Sequence, residues 1–433
     1  MNRRLFLGTT ALSASRVMGA NDRVNVGLIG CGGRGRYVAS LMRQAPNTAF
    51  VAVADVYDTN ANNAREWAGG DAKAFKDFRK LLDMKEVDAI MVSAPDHWHA
   101  IPTIMACQAG KDVYCEKPVS LTIREGRAMV NAARKYNRIV CAGTQHRSAK
   151  HFPKIAEMIQ RGDIGEVKFV RVWNYINVTP NGIGRKPNQE PPAGLDWDFY
   201  CGPSPKVPFN PNRFLATYRQ FFDYSGGYIT DYGNHRIDTA QQIMGSTAPH
   251  TISASGGRYI VKDDGDVPDF MTVTYEFDNY IMTYEGSNLN GFGMGAAKVG
   301  PKYYNGRGEY DQPNGICFYG TDGTIFAERI SWAIYPETSN PRHQAKPVQV
   351  FYENVPEPTK DHAAHFVDCV RTRKTPSADI EIGHRSTSVC LLGNIALKTG
   401  KKLKWDAKKE DFLGAPDASA LLGRKARKPW DLV

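Results

Sequence analysis

Val24-Asn25-Val26-Gly27-Leu28-Ile29-Gly30-Cys31-Gly32-Gly33-Arg34-Gly35 is followed, after a helix-compatible run at 36–44, by Phe50-Val51-Ala52-Val53-Ala54-Asp55. This is an apolar strand, a Gly-x-Gly-x-x-Gly turn, a helix and a second apolar strand that ends in an acid. Each part suits a dinucleotide. Gly30 permits the tight turn, Gly32 lets the backbone approach a pyrophosphate, and Gly35 allows close packing of helix on strand. Gly33 and Arg34 complete the turn and join the expected cofactor-binding set. The helix start then offers unpaired N–H groups to phosphate. Asp55 would accept hydrogen bonds from ribose hydroxyls and repel a 2′-phosphate, so NAD is expected rather than NADP.

The chain has 433 residues, of which 42% are apolar, enough for two ordinary domains. No apolar run approaches the roughly twenty residues of a spanning helix, so stable membrane insertion is not expected. The formal net charge is +10, with much of the excess at the two ends. No interleaved aromatic platform accompanies these charges, so residues 406–433 read as a solvated basic tail and nucleic acid is not an expected partner. The eight cysteines show no C-x-x-C pair or zinc-like spacing, and they read as buried thiols. His362 and His365 have a spacing that suits a metal but lack an acidic third ligand, so they read as a helix start and no metal is expected.

Residues 1–20 begin Met1-Asn2-Arg3-Arg4-Leu5-Phe6-Leu7 and are similar to a twin-arginine export signal. Arg16 interrupts the mildly apolar stretch, and cleavage after Gly19 or after Ala20 both stay open. The leader implies the twin-arginine export machinery as a partner and a periplasmic or extracellular location; a cytoplasmic chain is the alternative. That route carries folded, cofactor-loaded proteins, which suits a nucleotide enzyme with a leader and unpaired cysteines.

From residue 22 to about 147, strand and helix patterns alternate, which predicts a doubly wound parallel sheet. The buried strand at 87–93 runs into Ala94-Pro95-Asp96-His97-Trp98-His99, and the strand at 112–115 runs into Glu116-Lys117-Pro118. Both endings lie at the carboxyl edge of the sheet, where such folds bind ligands. Beyond 148 the pattern changes to strands at 167–177, 251–261, 270–277, 280–286, 315–319 and 324–327, with helices at 151–161, 363–372 and 386–398. Residues 148–405 therefore read as an α+β unit with a mainly antiparallel sheet. The Pro- and Gly-rich stretch 180–211 reads as a functional or Ω-type loop.

The glycine turn, Glu116-Lys117-Pro118 and Gly226-Gly227-x-x-x-Asp231-x-Gly233-x-His235-x-x-Asp238 together resemble the Gfo/Idh/MocA oxidoreductases. Asp196-Trp197-Asp198 with Gly202-Pro203 and the later Asn394-Ile395-Ala396 extend the resemblance over nearly the whole chain. It implies an N-terminal Rossmann domain at 22–147 and a C-terminal open sheet that commonly makes homodimers or homotetramers. It also implies a catalytic set of Lys117, Asp231 and His235, with Pro95 and His99 near the nicotinamide beside Glu116 and Lys117.

Oxidising a carbinol requires a group that takes the hydroxyl proton as hydride leaves. Asp231 and His235 are four apart, so one helix turn would set both on one side. His235 is read as general base, Lys117 as hydroxyl-orienting acid or base, and Asp231 as orienter of substrate or histidine; which group takes the proton stays open. His97 and Trp98 read as packing residues, Gly226-Gly227 as a turn that lets substrate approach, and Arg147, His146 and Tyr175 as weaker substrate-side candidates. The leading expectation is an NAD(P)-dependent oxidoreductase acting on a small carbohydrate: a sugar, polyol or glycoside hydroxyl. Its nucleotide would be retained and regenerated by a second substrate. Redox-neutral glycoside cleavage through transient C3 oxidation is the second expectation, and a nucleotide-binding sensor the third.

Overall fold

A computed structural model describes residues 23–295, 311–337 and 348–431. The export leader at 1–20 lies outside the described residues. The first unit runs β1 (Val24–Ile29), α1 (Gly33–Met42), β2 (Thr48–Ala54), α2 (Asp58–Ala68), β3 (Lys73–Phe75), α3 (Phe78–Leu82), β4 (Ala89–Val92), α4 (Ala100–Gln108), β5 (Asp112–Glu116), α5 (Ile123–Lys135) and β6 (Val140–Gly143). Its strands form one parallel sheet of order β3-β2-β1-β4-β5-β6. This is the doubly wound parallel sheet expected from the sequence. The strands are continuous apolar runs because helices cover both faces, and β4 and β5 are buried at every position. Strand order reverses between β1 and β4, which opens a crevice at their carboxyl ends.

The second unit begins with α6 (His151–Arg161) and β7 (Phe169–Tyr175). After an irregular stretch that holds only the short α7 (Trp197–Cys201) come α8 (Asn234–Met244), β8 (Thr251–Gly257), β9 (Phe270–Glu276) and β10 (Ile281–Ser287). A small ribbon, β11 (Met294–Gly295) with β12 (Asp311–Gln312), precedes β13 (Asn314–Tyr319), β14 (Gly323–Glu328), β15 (Ser331–Pro336) and β16 (Phe351–Asn354). Helices α9 (Thr359–Thr372) and α10 (Ile380–Thr399) and strands β17 (Leu403–Asp406) and β18 (Asp411–Phe412) follow. The large sheet has order β16-β15-β14-β13-β7-β10-β9-β8-β17-β18, antiparallel except where β7 meets β10. Strand alternation sets its faces: along β9, Met271, Val273 and Tyr275 are buried and their neighbours are half-exposed.

Sequence reading passed over β15 and β17. Strand β15, Ser-Trp-Ala-Ile-Tyr-Pro, is buried along its first four residues and lacks the alternation of a half-exposed strand. Helix α9 lies within the stretch 148–405 by position, yet its Ala363, Phe366, Val367 and Val370 belong to the core of the first unit. It packs on α1, and Phe366 meets the ring of Tyr114 on β5 at 5.7 Å. The two units therefore share a core.

The expectation of a solvated basic tail fails toward its end. Arg424 pairs with Glu125, Arg427 pairs with Asp198, and Trp430 is buried. Sequence shows the charge; it cannot show that Glu125 and Asp198, more than two hundred residues upstream, receive it.

Phe366→Ala leaves a ring-sized void between the units and is expected to cost about 3–5 kcal/mol. Chemical denaturation followed by fluorescence and circular dichroism measures this, and a loss below about 1 kcal/mol would contradict the shared core.

Candidate active site

The crevice between β1 and β4 opens into a cavity of about 860 Å³. Gly30, Gly32, Gly33, Arg34, Gly35, Asp55, Pro95, His99, Glu116, Lys117, Asp231 and His235 all line it. The structure thus brings the whole expected site into one space.

The glycine turn has the shape a dinucleotide needs. Gly30 has φ +85°, and a Cβ there would sit 2.3 Å from the Ala94 nitrogen. A Cβ on Gly35 would sit 2.3 Å from the Gly30 oxygen, so close packing of α1 on β1 depends on its absence. A Cβ on Gly32 or Gly33 would meet nothing within 4 Å. These two backbones face open space in front of the N-terminus of α1, where a phosphate group fits. Asp55, just past β2, accepts the Cys31 N–H at 2.7 Å and the Tyr57 N–H at 2.9 Å. Burial pushes its carboxyl up to about 6 against the pull of those two donors. Arg34 reaches Glu116, which also accepts from Gln145, each at 3.2 Å.

At the other end of the cavity the chain makes a π-turn, Ile229–Gly233, that runs into α8. Asp231 and His235 thus straddle a π-to-α junction, not one regular turn, and both still line the cavity. Such widened turns are frequent at functional sites. The Lys117 ammonium donates to Asp231 twice, to Oδ1 at 2.6 Å and to the backbone oxygen at 2.7 Å. Arg219 approaches Asp231 Oδ2 at 3.2 Å. Burial alone would raise Asp231, but the two cations overcome it and hold the carboxyl well below the usual carboxylate range.

His235 is buried, and among the described residues its Nδ1 has no hydrogen-bond partner. Burial first, then the charges of Lys117 and Arg329, push its pKa well below the ordinary histidine value. It is therefore a neutral imidazole at neutral pH, with a lone pair to accept a proton. Its ring stacks on His146 at 5.1 Å. Thr239 donates to the His235 carbonyl oxygen at 2.8 Å, so its hydroxyl accepts from His146 Nδ1 at 2.9 Å. His146 Nε2 is left to accept from Arg329 at 3.0 Å. His146 acts behind His235, not on the substrate side.

His99 has both ring nitrogens facing carbonyl oxygens, Pro118 at 2.6 Å and Ala94 at 2.8 Å. A neutral imidazole has one donor, so this arrangement calls for the doubly protonated ring. Burial opposes that charge, but Cys115, Asp96 and the Pro118 carbonyl outweigh it and raise the ring to about 9. His99 thereby ties the turn at Ala94 to the turn beside Lys117.

Other candidates fall elsewhere. Arg147 is held at 2.8 Å by Asp238, and Tyr175 lies on the large sheet, bonded to Glu285 at 2.5 Å; neither lines the cavity. His97 packs among aromatic rings and bonds the Tyr200 carbonyl, while Trp98 bonds the same carbonyl and also forms cavity wall. Gly227 has φ +75° and lines the cavity, and Asn394 donates to the Gly226 carbonyl at 2.8 Å. His362 sits in the first turn of α9, bonded to Ser148 and the Ala142 carbonyl. Sequence reasoning missed Arg219, Arg329, Tyr228 and Tyr232, all of which line the cavity. The tyrosines occupy unspecified positions beside Asp231, and the arginines lie outside every motif.

Residues 24–144 match the family model described as the NAD-binding Rossmann fold of the Gfo/Idh/MocA oxidoreductases. Residues 171–290 and 332–432 match the C-terminal alpha/beta domain of the same family. The chain belongs to the Gfo/Idh/MocA oxidoreductase family. It is 24% identical to a myo-inositol 2-dehydrogenase of Thermotoga maritima over 90% of this chain and 100% of that one. With a D-glucoside 3-dehydrogenase of Escherichia coli it shares 26% identity over 48% of this chain and 51% of that one. A solved levoglucosan dehydrogenase, in complex with NADH and levoglucosan, superposes with a TM-score of 0.63 at 18% identity, covering 88% of this chain and 99% of that one.

Because His235 is held neutral, kcat/KM is expected to show no inflection near the ordinary histidine value of about 6.5. Protonation below that range removes the base form, so activity falls only in more acid solution. A pH profile with an acid limb at about 6.5 that vanishes in His235→Gln would contradict this assignment.

Proposed function

We propose that this oxidoreductase moves hydride between NAD and the carbinol carbon of a sugar, polyol or glycoside, with His235 as general base. The observation that carries the reading is the meeting of Lys117, Asp231 and a neutral His235 in the cavity that the glycine turn also lines. When bound, NAD supplies the two-electron acceptor. His235 accepts the substrate hydroxyl proton, because among the three its lone pair is available at neutral pH. Asp231 stays ionised and fixes the Lys117 ammonium by two hydrogen bonds. Lys117 then orients the substrate oxygen and stabilises negative charge that develops on it. Named relatives that act on inositol and on a D-glucoside support a carbohydrate substrate.

NAD is favoured over NADP because the Asp55 carboxyl lines the cavity after β2 and is ionised above about pH 6. Arg3-Arg4 and the following apolar stretch support export by the twin-arginine route, with the nucleotide retained and recycled by a second carbonyl substrate. Exposed Phe169 and Ile281, paired across β7 and β10, support self-association through the open sheet face.

The decisive experiment purifies the chain, identifies released nucleotide by mass, and screens sugars, polyols and glycosides for reduced-nicotinamide absorbance. Expected are bound NAD(H) and turnover that falls about 10²–10⁴-fold in His235→Ala and in Lys117→Ala with nucleotide affinity kept. Unchanged turnover in both variants, or glycoside cleavage without net reduction, would defeat the reading. Asp55→Ala is expected to raise relative affinity for NADPH, and an unchanged NADH to NADPH ratio would remove Asp55 as the discriminating group.

A further inference from the structure

The end of the chain returns to the first unit and packs behind the cavity wall. Arg424 spreads over three partners: Glu125 Oε1 at 2.8 Å, the Ser204 hydroxyl at 2.8 Å and the His97 carbonyl at 3.0 Å. Arg427 donates to the Gly202 carbonyl at 2.9 Å, to the Asp198 carboxylate at 2.9 Å and to the Asp198 carbonyl at 2.7 Å. Trp430 stacks on Phe199 with ring centroids 4.9 Å apart and meets Trp98 edge-on at 4.8 Å. Phe199 and Trp98 line the cavity on their other sides, whereas Arg424, Arg427 and Trp430 do not. The tail thus holds the wall from behind.

The wall segment in question has a second anchor in front. It runs from Ala94 to His99, and the His99 ring bridges the Ala94 and Pro118 carbonyls next to Lys117. Trp98 is further pinned by its own N–H on the Tyr200 carbonyl at 2.9 Å. Gly202 leaves room for its ring, since a Cβ there would lie 2.1 Å from it. With front and back both tied, the segment is held by contacts from within the chain itself.

We propose that residues 424–430 form a C-terminal strap in which Arg424 and Trp430 are positioning residues for the nucleotide, holding Trp98 and His99 in the conformation that binds it. This rests on the reading that the cavity takes NAD. The physical reason is preorganisation. Without the strap, the rings of Trp98 and Phe199 lose their backing, and the bound nucleotide must supply the free energy to order them. The penalty appears as weaker affinity and faster release, without loss of any direct contact between Trp430 and ligand.

The test is titration of the full chain, stripped of nucleotide, with NADH followed by its fluorescence. Trp430→Ala is expected to bind about tenfold more weakly than the parent chain, and Trp430→Phe to bind within about twofold of it. Leu403→Ala, buried in the core of the second unit, serves as the stability control. It is expected to lower the melting temperature while leaving NADH affinity within about twofold. Arg424→Gln keeps the Trp430 ring and repeats the measurement should Trp430→Ala unfold. Affinity within about twofold of the parent in both strap variants, with any loss confined to melting temperature, would overturn the strap's role. A parent chain that binds no NADH would instead overturn the nucleotide reading, and the inference with it.

Discussion

The half-buried contact between Lys117 and Asp231 is the constraint around which the rest is arranged. Lys117 stands just past β5 at the edge of the parallel sheet, and Asp231 stands on the π-turn before α8 in the other unit. An ammonium and a carboxylate taken out of water are tolerable only when they meet with good geometry and spare hydrogen bonds. Here they meet at 2.6 Å, with a second bond to the Asp231 carbonyl and Arg219 on the other carboxylate oxygen. The docking of the two units is therefore specified where the charges must coincide, and the cavity lies along that seam.

Charge in the cavity follows from the same arrangement. One carboxylate, Asp231, faces two cations, while burial first and then the charges of Lys117 and Arg329 keep His235 from protonating. The doubly bonded His99 is a different case, because two carbonyl acceptors and the nearby Asp96 hold it charged in the same buried surroundings. Two histidines lining one cavity thus take opposite protonation states. Burial disfavours the charge on both, and only the hydrogen-bond partners and neighbouring charges separate them.

The first unit is completed by chain that comes much later. Helix α9 supplies Phe366 and Val367 to its core, and residues 424–430 back its cavity wall. A sheet needs both faces covered, and the connections within 24–147 leave part of one face for α9 to cover. Motifs that look like isolated signatures acquire a structural meaning in this setting. Asp196 caps α7, Asp198 receives Arg427, Gly202 makes room for Trp98, and Asn394 braces the turn at Gly226.

The doubly wound parallel sheet and the glycine cradle were legible in the linear chain because they rest on local rules. Apolar runs punctuated by turns make strands, and glycine is required where φ is positive or where helix meets strand. The site residues were legible as motifs, but not the relation between them. That His235 is neutral, that Lys117 and Arg219 share the Asp231 carboxylate, and that Arg329 backs His146 all depend on groups 12 to 183 residues apart. The basic tail shows the limit most clearly. Sequence alone determined its charge, but whether Arg424 meets water or Glu125 is decided by burial and by which surfaces folding brings together, and no local pattern encodes that.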